Sequence, residues 1–148
     1  MYEYEDIYGF LVKRLGVKRA KLHEEIHVSD ELGCDGDDFS ELMDAYAKRF
    51  AVDISAYLWY FHQGEEISMS LGASIFPPPN FRVERIPVTP RLLLESANAG
   101  RWLVEYPVHR MPRRRYDVLV DRVVALIVIA TFLALIIHRV VAPAAGPK

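Results

Sequence analysis

Cysteine is nearly missing from this sequence. One residue in 148, Cys34, carries a thiol, which excludes an intrachain disulfide framework and a zinc site built from cysteines alone. There is no glycine-rich phosphate loop and no Gly-x-Ser-x-Gly turn, so two familiar signatures of nucleotide and ester chemistry have no counterpart. No internal repeat and no convincing pair of strands is visible. The length suits one ordinary domain, or a small domain with an appendage, and excludes a TIM barrel or a full dinucleotide-binding enzyme. The opening MYEYED is acidic and has no apolar run, which reads against a signal peptide.

Charge is present but segregated. Residues 1–66 hold 15 acidic and 7 basic side chains, a net of -8, and residues 67–148 hold 5 acidic and 11 basic ones, a net of +6. The overall formal charge of -2 therefore hides two physically different pieces. An acidic N-terminal half opposes a nucleic-acid role, because affinity for the phosphate backbone comes from cations.

Uncharged sequence is concentrated near the C-terminus. Val123 to Ile137 reads VVALIVIATFLALII, 15 residues without a charge. A hydrocarbon core of about 30 Å needs about 20 helical residues. The flanks extend the segment to Val118–Ala142, which is 25 residues, or about 37 Å at a helical rise of about 1.5 Å. Eleven of the fifteen central residues are Val, Leu, Ile or Phe; at about -0.3 to -0.6 kcal/mol each, insertion outweighs the cost of Asp121, Arg122, His138 and Arg139 near the ends. The competing reading, a buried core helix, fits poorly because the segment is apolar on every side and nothing is seen to follow that would cover it. Arg110, Arg113, Arg114, Arg115 and Arg122 precede or open the span, whereas only Arg139 and Lys148 close or follow it, so the positive-inside rule keeps the N-terminal domain in the cytoplasm. The arrangement reads as a single-pass, tail-anchored protein, with the arginine run serving topology and lipid headgroups.

The remainder reads as helical. Tyr4, Ile7, Tyr8, Leu11 and Leu15 form one stripe, with Gly16 as its stop. Lys18 to Leu32 is polar and weakly periodic, hence mostly loop. Phe39, Leu42, Met43, Tyr46, Ala47 and Phe50 form a second apolar face, while Glu41, Asp44, Lys48 and Arg49 point away; Asp38 and Glu41 have capping-box spacing. An aromatic patch follows: Tyr57, Trp59, Tyr60, Phe61 and Phe76. Pro77-Pro78-Pro79 excludes helix. A third helix is expected from Thr89 and Pro90 to Gly100, with Trp102 packing back on it. Pro107 and Pro112 mark an extended linker. The domain boundaries expected are 1–105 for the helical domain, 106–117 for a basic linker, 118–142 for the span and 143–148 for a short tail. Residues Gln63 to Arg85 are too long for a simple connection.

The segment Glu31 to Ile54, ELGCDGDDFSELMDAYAKRFAVDI, resembles the centre of an acyl carrier protein. Leu32, Gly33, Asp35, Asp38, Glu41, Leu42, Phe50 and Ile54 match that pattern. The serine that carries the phosphopantetheine arm does not: Gly36 stands in its place, and Asp37 in place of the leucine after it. The whole is similar to a group of small bacterial acyl-carrier-like proteins of unknown function. These have Gly-Asp-Asp at the attachment motif and a later helix, here Thr89-Pro90-Arg91-Leu92-Leu93 through Ala97-Asn98-Ala99-Gly100-Arg101-Trp102. The resemblance covers about residues 4 to 105. It implies an all-α, carrier-like bundle without its covalent arm, followed here by a single C-terminal transmembrane helix.

Two patterns tempt toward metal chemistry. His23-Glu24-Glu25-Ile26-His27 is a literal HExxH, which on a helix would place two histidines on one face with Glu24 beside a metal-bound water. A third ligand would have to come from His62, His109 or a carboxylate, and no apolar helix surrounds the motif, so it reads as a loop. Asp35, Asp37 and Asp38 lack the spacing of a calcium loop and read as an acidic helix start.

The functional expectation is a non-catalytic module at the cytoplasmic face of a bacterial inner membrane, with no cofactor, metal or nucleic acid. Its acidic second helix (Asp35, Asp37, Asp38, Glu41 and Asp44) would bind a protein with a basic surface. The alternative is a carrier acylated at an atypical nucleophile, Cys34 or Ser40.

Overall fold

The computed structural model describes residues 1–65 and 70–141, with Val141 described by its backbone alone. Five α-helices lie among them: α1 (Tyr4–Leu15), α2 (Gly36–Phe50), α3 (Leu71–Ile75), α4 (Pro90–Ala99) and α5 (Tyr116–Val141). Single 3-10 turns occur at Arg19–Lys21, Trp59–Phe61 and Pro79–Phe81. Among the described residues the nearest approach to a sheet is one isolated parallel bridge between Asp53 and Arg101. The fold is all-α. The chain divides into two compact units, one from Met1–Ser68 and Pro79–Met111, the other from Met69–Pro78 and Pro112–Lys148.

The first unit is assembled from α1, α2 and α4. The apolar stripe of α1 buries Ile7, Tyr8 and Leu11, and α2 buries Phe39, Leu42, Met43, Tyr46 and Phe50, as the helical spacing predicts. Fully burying a side chain of this size stabilises the fold by about 2 kcal/mol each. Thr89 caps α4 by accepting the Leu92 amide, and Pro90 fills the first turn where no amide hydrogen is needed. The Tyr46 hydroxyl donates to the Leu93 carbonyl at 2.5 Å, tying α2 to α4 inside the core.

Two expectations shift. α2 starts at Gly36, with Asp35 at the N-cap, so Asp38 and Glu41 lie inside the helix rather than framing its start. The Lys18–Leu32 segment is mostly loop, yet it is a structural part of the core: Leu22, Ile26 and Val28 are buried. Too irregular for a helical or strand period, such a segment shows its buried residues only in the fold. Val28 donates its amide to Val88 at 3.0 Å, and Arg91 donates to the Glu24 carbonyl at 3.0 Å, so this loop docks on the approach to α4.

The predicted aromatic patch divides. Tyr57 and Phe61 join the first unit, whereas Phe76 packs on Tyr116 in the second, with ring centroids 5.7 Å apart. The 106–117 stretch, expected as a linker, contributes two side chains to the first unit: Tyr106 packs on Phe61 at 4.8 Å and His109 on Phe61 at 5.1 Å.

In the second unit α5 is a continuous helix of 26 residues. Its Tyr116–Val140 segment contains an 18-residue window of mean hydropathy 2.6, none of it buried, so the helix is long and apolar enough to cross a membrane. The predicted span Val118–Ala142 coincides with it up to residue 141; Ala142 and the expected tail 143–148 lie outside the described residues.

Candidate functional site

The start of α2 carries a polar network that draws together Asp35, Gly64, Arg85 and Asp30. Asp35 adopts an extended backbone before the helix. Its carboxylate Oδ1 accepts the Gly64 amide at 2.7 Å and Arg85 Nη2 at 2.7 Å. Arg85 also donates through Nη1 to Asp30 at 2.9 Å and through Nε to the His62 carbonyl at 3.0 Å. Burial pushes the Asp35 carboxyl upward, but the Gly64 amide and the Arg85 guanidinium outweigh it and hold the group below the usual carboxylate range.

Gly36 lies under this network. It is buried, and its φ of 57° is in the left-handed region, where a Cβ meets the backbone. Gln63, itself buried, closes over it: Nε2 donates to the Gly36 carbonyl at 3.2 Å and to Ser40 Oγ at 2.7 Å. A cleft of about 470 Å³ opens beside this point, lined in part by Asp35, Asp38, Tyr60, Gln63, Glu65 and Arg85.

A second layer holds Gln63 and Arg85 in place. His62 is fully buried and stacked on Tyr57, with ring centroids 5.1 Å apart and planes 9° from parallel. Its Nδ1 lies 2.8 Å from the Ile86 carbonyl, which only accepts, so Nδ1 carries the hydrogen. Nε2, 2.8 Å from the Tyr106 hydroxyl, then accepts from it. The Tyr106 oxygen in turn accepts from the Leu58 amide at 3.0 Å and from Trp102 Nε1 at 2.8 Å. Burial drives the His62 imidazole down to about 4, so it is neutral at physiological pH.

The five acidic residues expected to bind a partner fare differently. Asp37, Asp38, Glu41 and Asp44 are exposed along α2. Asp37, Glu41 and Asp44, at i, i+4 and i+7, share one stripe, with Asp38 beside it. Asp35 is drawn into the Arg85 network instead. Cys34 is 3% exposed, and burial, with smaller contributions from Asp38 and Asp35, pushes its thiol up to about 11. Ser40 is half-buried and receives the Gln63 amide.

The HExxH residues lie in a turn rather than on a helix. Glu24 accepts from the Tyr4 hydroxyl at 2.9 Å and from Arg91 Nη2 at 3.0 Å, and these two hydrogen bonds lower its pKa. Arg91 also pairs with Glu25 at 2.7 Å, so the motif's carboxylates clasp α1 to α4. Among the described residues no three His, Cys, Asp or Glu side chains come together as a metal-binding group. Gln63, Arg85 and Tyr106 were not singled out by the sequence as site residues, and His62 was named only as a possible third metal ligand; the Gln63-Gly64 pair and an arginine at the end of a long connection were the available signals.

Comparison with known proteins gives one result. A family model described as "Protein of unknown function (DUF1493)" matches residues 3–105. No curated protein and no solved structure matches the chain.

Proposed function

The chain belongs to the DUF1493 family of proteins of unknown function, and from that premise we propose that it is a membrane-anchored, non-catalytic module that binds a basic protein partner through α2. The observation that carries this reading is the division of charge on that helix. Asp35 is paired with Arg85, which it shares with Asp30, while Asp37, Asp38, Glu41 and Asp44 remain exposed on one side. A row of solvated carboxylates contributes little to folding; against a basic surface it sets encounter rate and partner choice.

The likeness to acyl carrier proteins enters here as shape without cargo. The position equivalent to the attachment serine, Gly36, has no hydroxyl, a left-handed φ and the Gln63 amide across it. Loading at the alternative nucleophiles has less support. The Cys34 thiol is buried and protonated at neutral pH, and Ser40 Oγ is occupied by Gln63. The excess of arginines ahead of α5 favours an inner-membrane protein of a bacterium with the first unit in the cytoplasm.

The test is cross-linking in intact membranes, with a photoreactive residue at Ser40 or Lys48 of the full-length chain. A discrete adduct is expected, reduced about tenfold when Asp37, Asp38, Glu41 and Asp44 are changed to lysine. An adduct of unchanged yield in the reversed protein would overturn the reading. Intact-mass analysis after co-expression with a phosphopantetheinyl transferase checks the other half: a gain of one arm would restore the carrier.

A further inference from the structure

The second unit contains a short helix with an unusual seat. α3 rests on the opening turns of α5 through Gly72, whose amide donates to Asp121 Oδ1 at 2.8 Å. The contact is backbone against backbone: a Cβ on Gly72 would lie 1.9 Å from the Asp117 carbonyl oxygen. Ser70 caps α3 by accepting the Ala73 amide at 3.1 Å. Gly72 and Ala73 face inward and are buried. Leu71 and Ile75, four apart on the other face, are 56% and 57% exposed, and Phe76 beyond them is 39% exposed. Three large apolar side chains thus face outward beside the point where α5 begins.

Charge in this unit is distributed to match. Asp117 is buried and paired with Arg115, with Nε 2.9 Å from Oδ1, and Asp121 receives the α3 amide. Both carboxylates are matched internally. Arg113, Arg114 and Arg122 remain exposed around them.

We propose that α3 is an interfacial foot: Leu71, Ile75 and Phe76 sit in the headgroup region of the same anionic leaflet that α5 enters. The inference rests on the reading of α5 as a membrane span. α3 is seated on the opening turns of α5, where Leu119 and Val123 are exposed like Leu71 and Ile75, which argues for lipid as the common cover. The surrounding arginines fit anionic headgroups. The α3 amide also supplies Asp121 with a donor where water thins out, so the uncharged crossing starts at Val123.

Site-directed spin labelling of the full-length protein tests this in vesicles of phosphatidylcholine with a minor fraction of phosphatidylglycerol. Labels are placed singly at positions 75, 133 and 44, both in a Cys34→Ala background and with the buried Cys34 retained. Oxygen partitions into lipid and a nickel chelate stays in water, so their accessibility ratio reports depth. The expected ratio at position 75 is about threefold above that at position 44, with position 133 deepest. A ratio at 75 equal to that at 44, with 133 deep, overturns the foot but leaves the anchor standing. A water-exposed 133 overturns the anchor and the foot together. Shielding of 75 from both reagents means protein cover and overturns the lipid assignment. Gly72→Ala should return position 75 to the ratio of position 44 while leaving 133 unchanged; an unmoved 75 would refute the α5 seat as what holds the foot.

Discussion

Arg85 and Asp35, fifty residues apart, meet with Nη2 2.7 Å from Oδ1 at the entrance to α2. This one guanidinium joins the Asp30 turn, the α2 N-cap and the His62 carbonyl, three segments that share no regular secondary structure. It also takes one carboxylate out of an otherwise acidic helix face.

Replacing Arg85 with methionine keeps the stem and removes the donors. Both partners are about half-exposed, so each ion pair is worth at most about 1 kcal/mol, and the expected total loss is about 1–2 kcal/mol. Denaturant unfolding of the detergent-solubilised protein, followed by Trp59 and Trp102 fluorescence, measures it. The pH dependence has a definite sign. The Asp35 pKa is lowered by folding, so its contribution is present above the unfolded carboxylate value and lost as pH falls through the folded one. Arg85→Met should shrink that acid-side loss.

His62 acts at higher pH and in the opposite chemical sense. Its pKa falls from an ordinary 6.5 to about 4 on folding, so the unfolded chain binds the extra proton between these values. Stability is complete above about pH 6.5 and declines as pH falls toward 4, by about 3 kcal/mol in all. Stability at pH 7.5 and pH 4.5 should differ by most of that amount. His62→Gln, less stable at both values, should show a much smaller difference.

Tyr106 is the hub of the same network. Its hydroxyl serves His62, the Leu58 amide and Trp102 Nε1. Tyr106→Phe leaves three polar partners without it at almost unchanged volume, and the expected cost is about 2–4 kcal/mol. A loss below 0.5 kcal/mol, roughly the scatter for a neutral surface change, would mean the network is replaceable by water.

What the sequence disclosed, and what it hid, follows from the kind of signal each element leaves. α1, α2, α4 and α5 were legible because burial against one side imposes a helical period on Ile7, Leu11, Leu42, Tyr46 and Leu93, or removes charge altogether from Val123–Ile137. The exposed carboxylates of α2 were legible for the same reason, as the complement of its apolar face. Leu22, Ile26 and Val28 were not, since an irregular loop buries side chains at no fixed spacing. The Arg85–Asp35 pair and the His62–Tyr106 bond were hidden more deeply. They join positions 50 and 44 residues apart, and a long-range polar contact leaves no periodic trace in either partner. α3 escaped because a five-residue helix is too short to show a period.

On the proposed likeness to carrier proteins Gly36 stands at the attachment position, and placing a hydroxyl there tests whether the side chain alone or the backbone as well stands against loading. If only the side chain had changed, Gly36→Ser would create a substrate for phosphopantetheinyl transfer. The backbone argues otherwise. A serine here must hold φ near 57°, costing about 1–2 kcal/mol, and its hydroxyl would lie in a buried position with the Gln63 amide bonded to its own carbonyl. Gly36→Ser should therefore lower stability by that amount and gain no mass on incubation with the transferase and coenzyme A. Adding Gln63→Ala relieves the cover but not the φ, so the double variant should stay unmodified as well. Efficient modification of either protein would mean that the α2 entrance can adopt a geometry the transferase accepts, and that the side chain at position 36 alone decides loading.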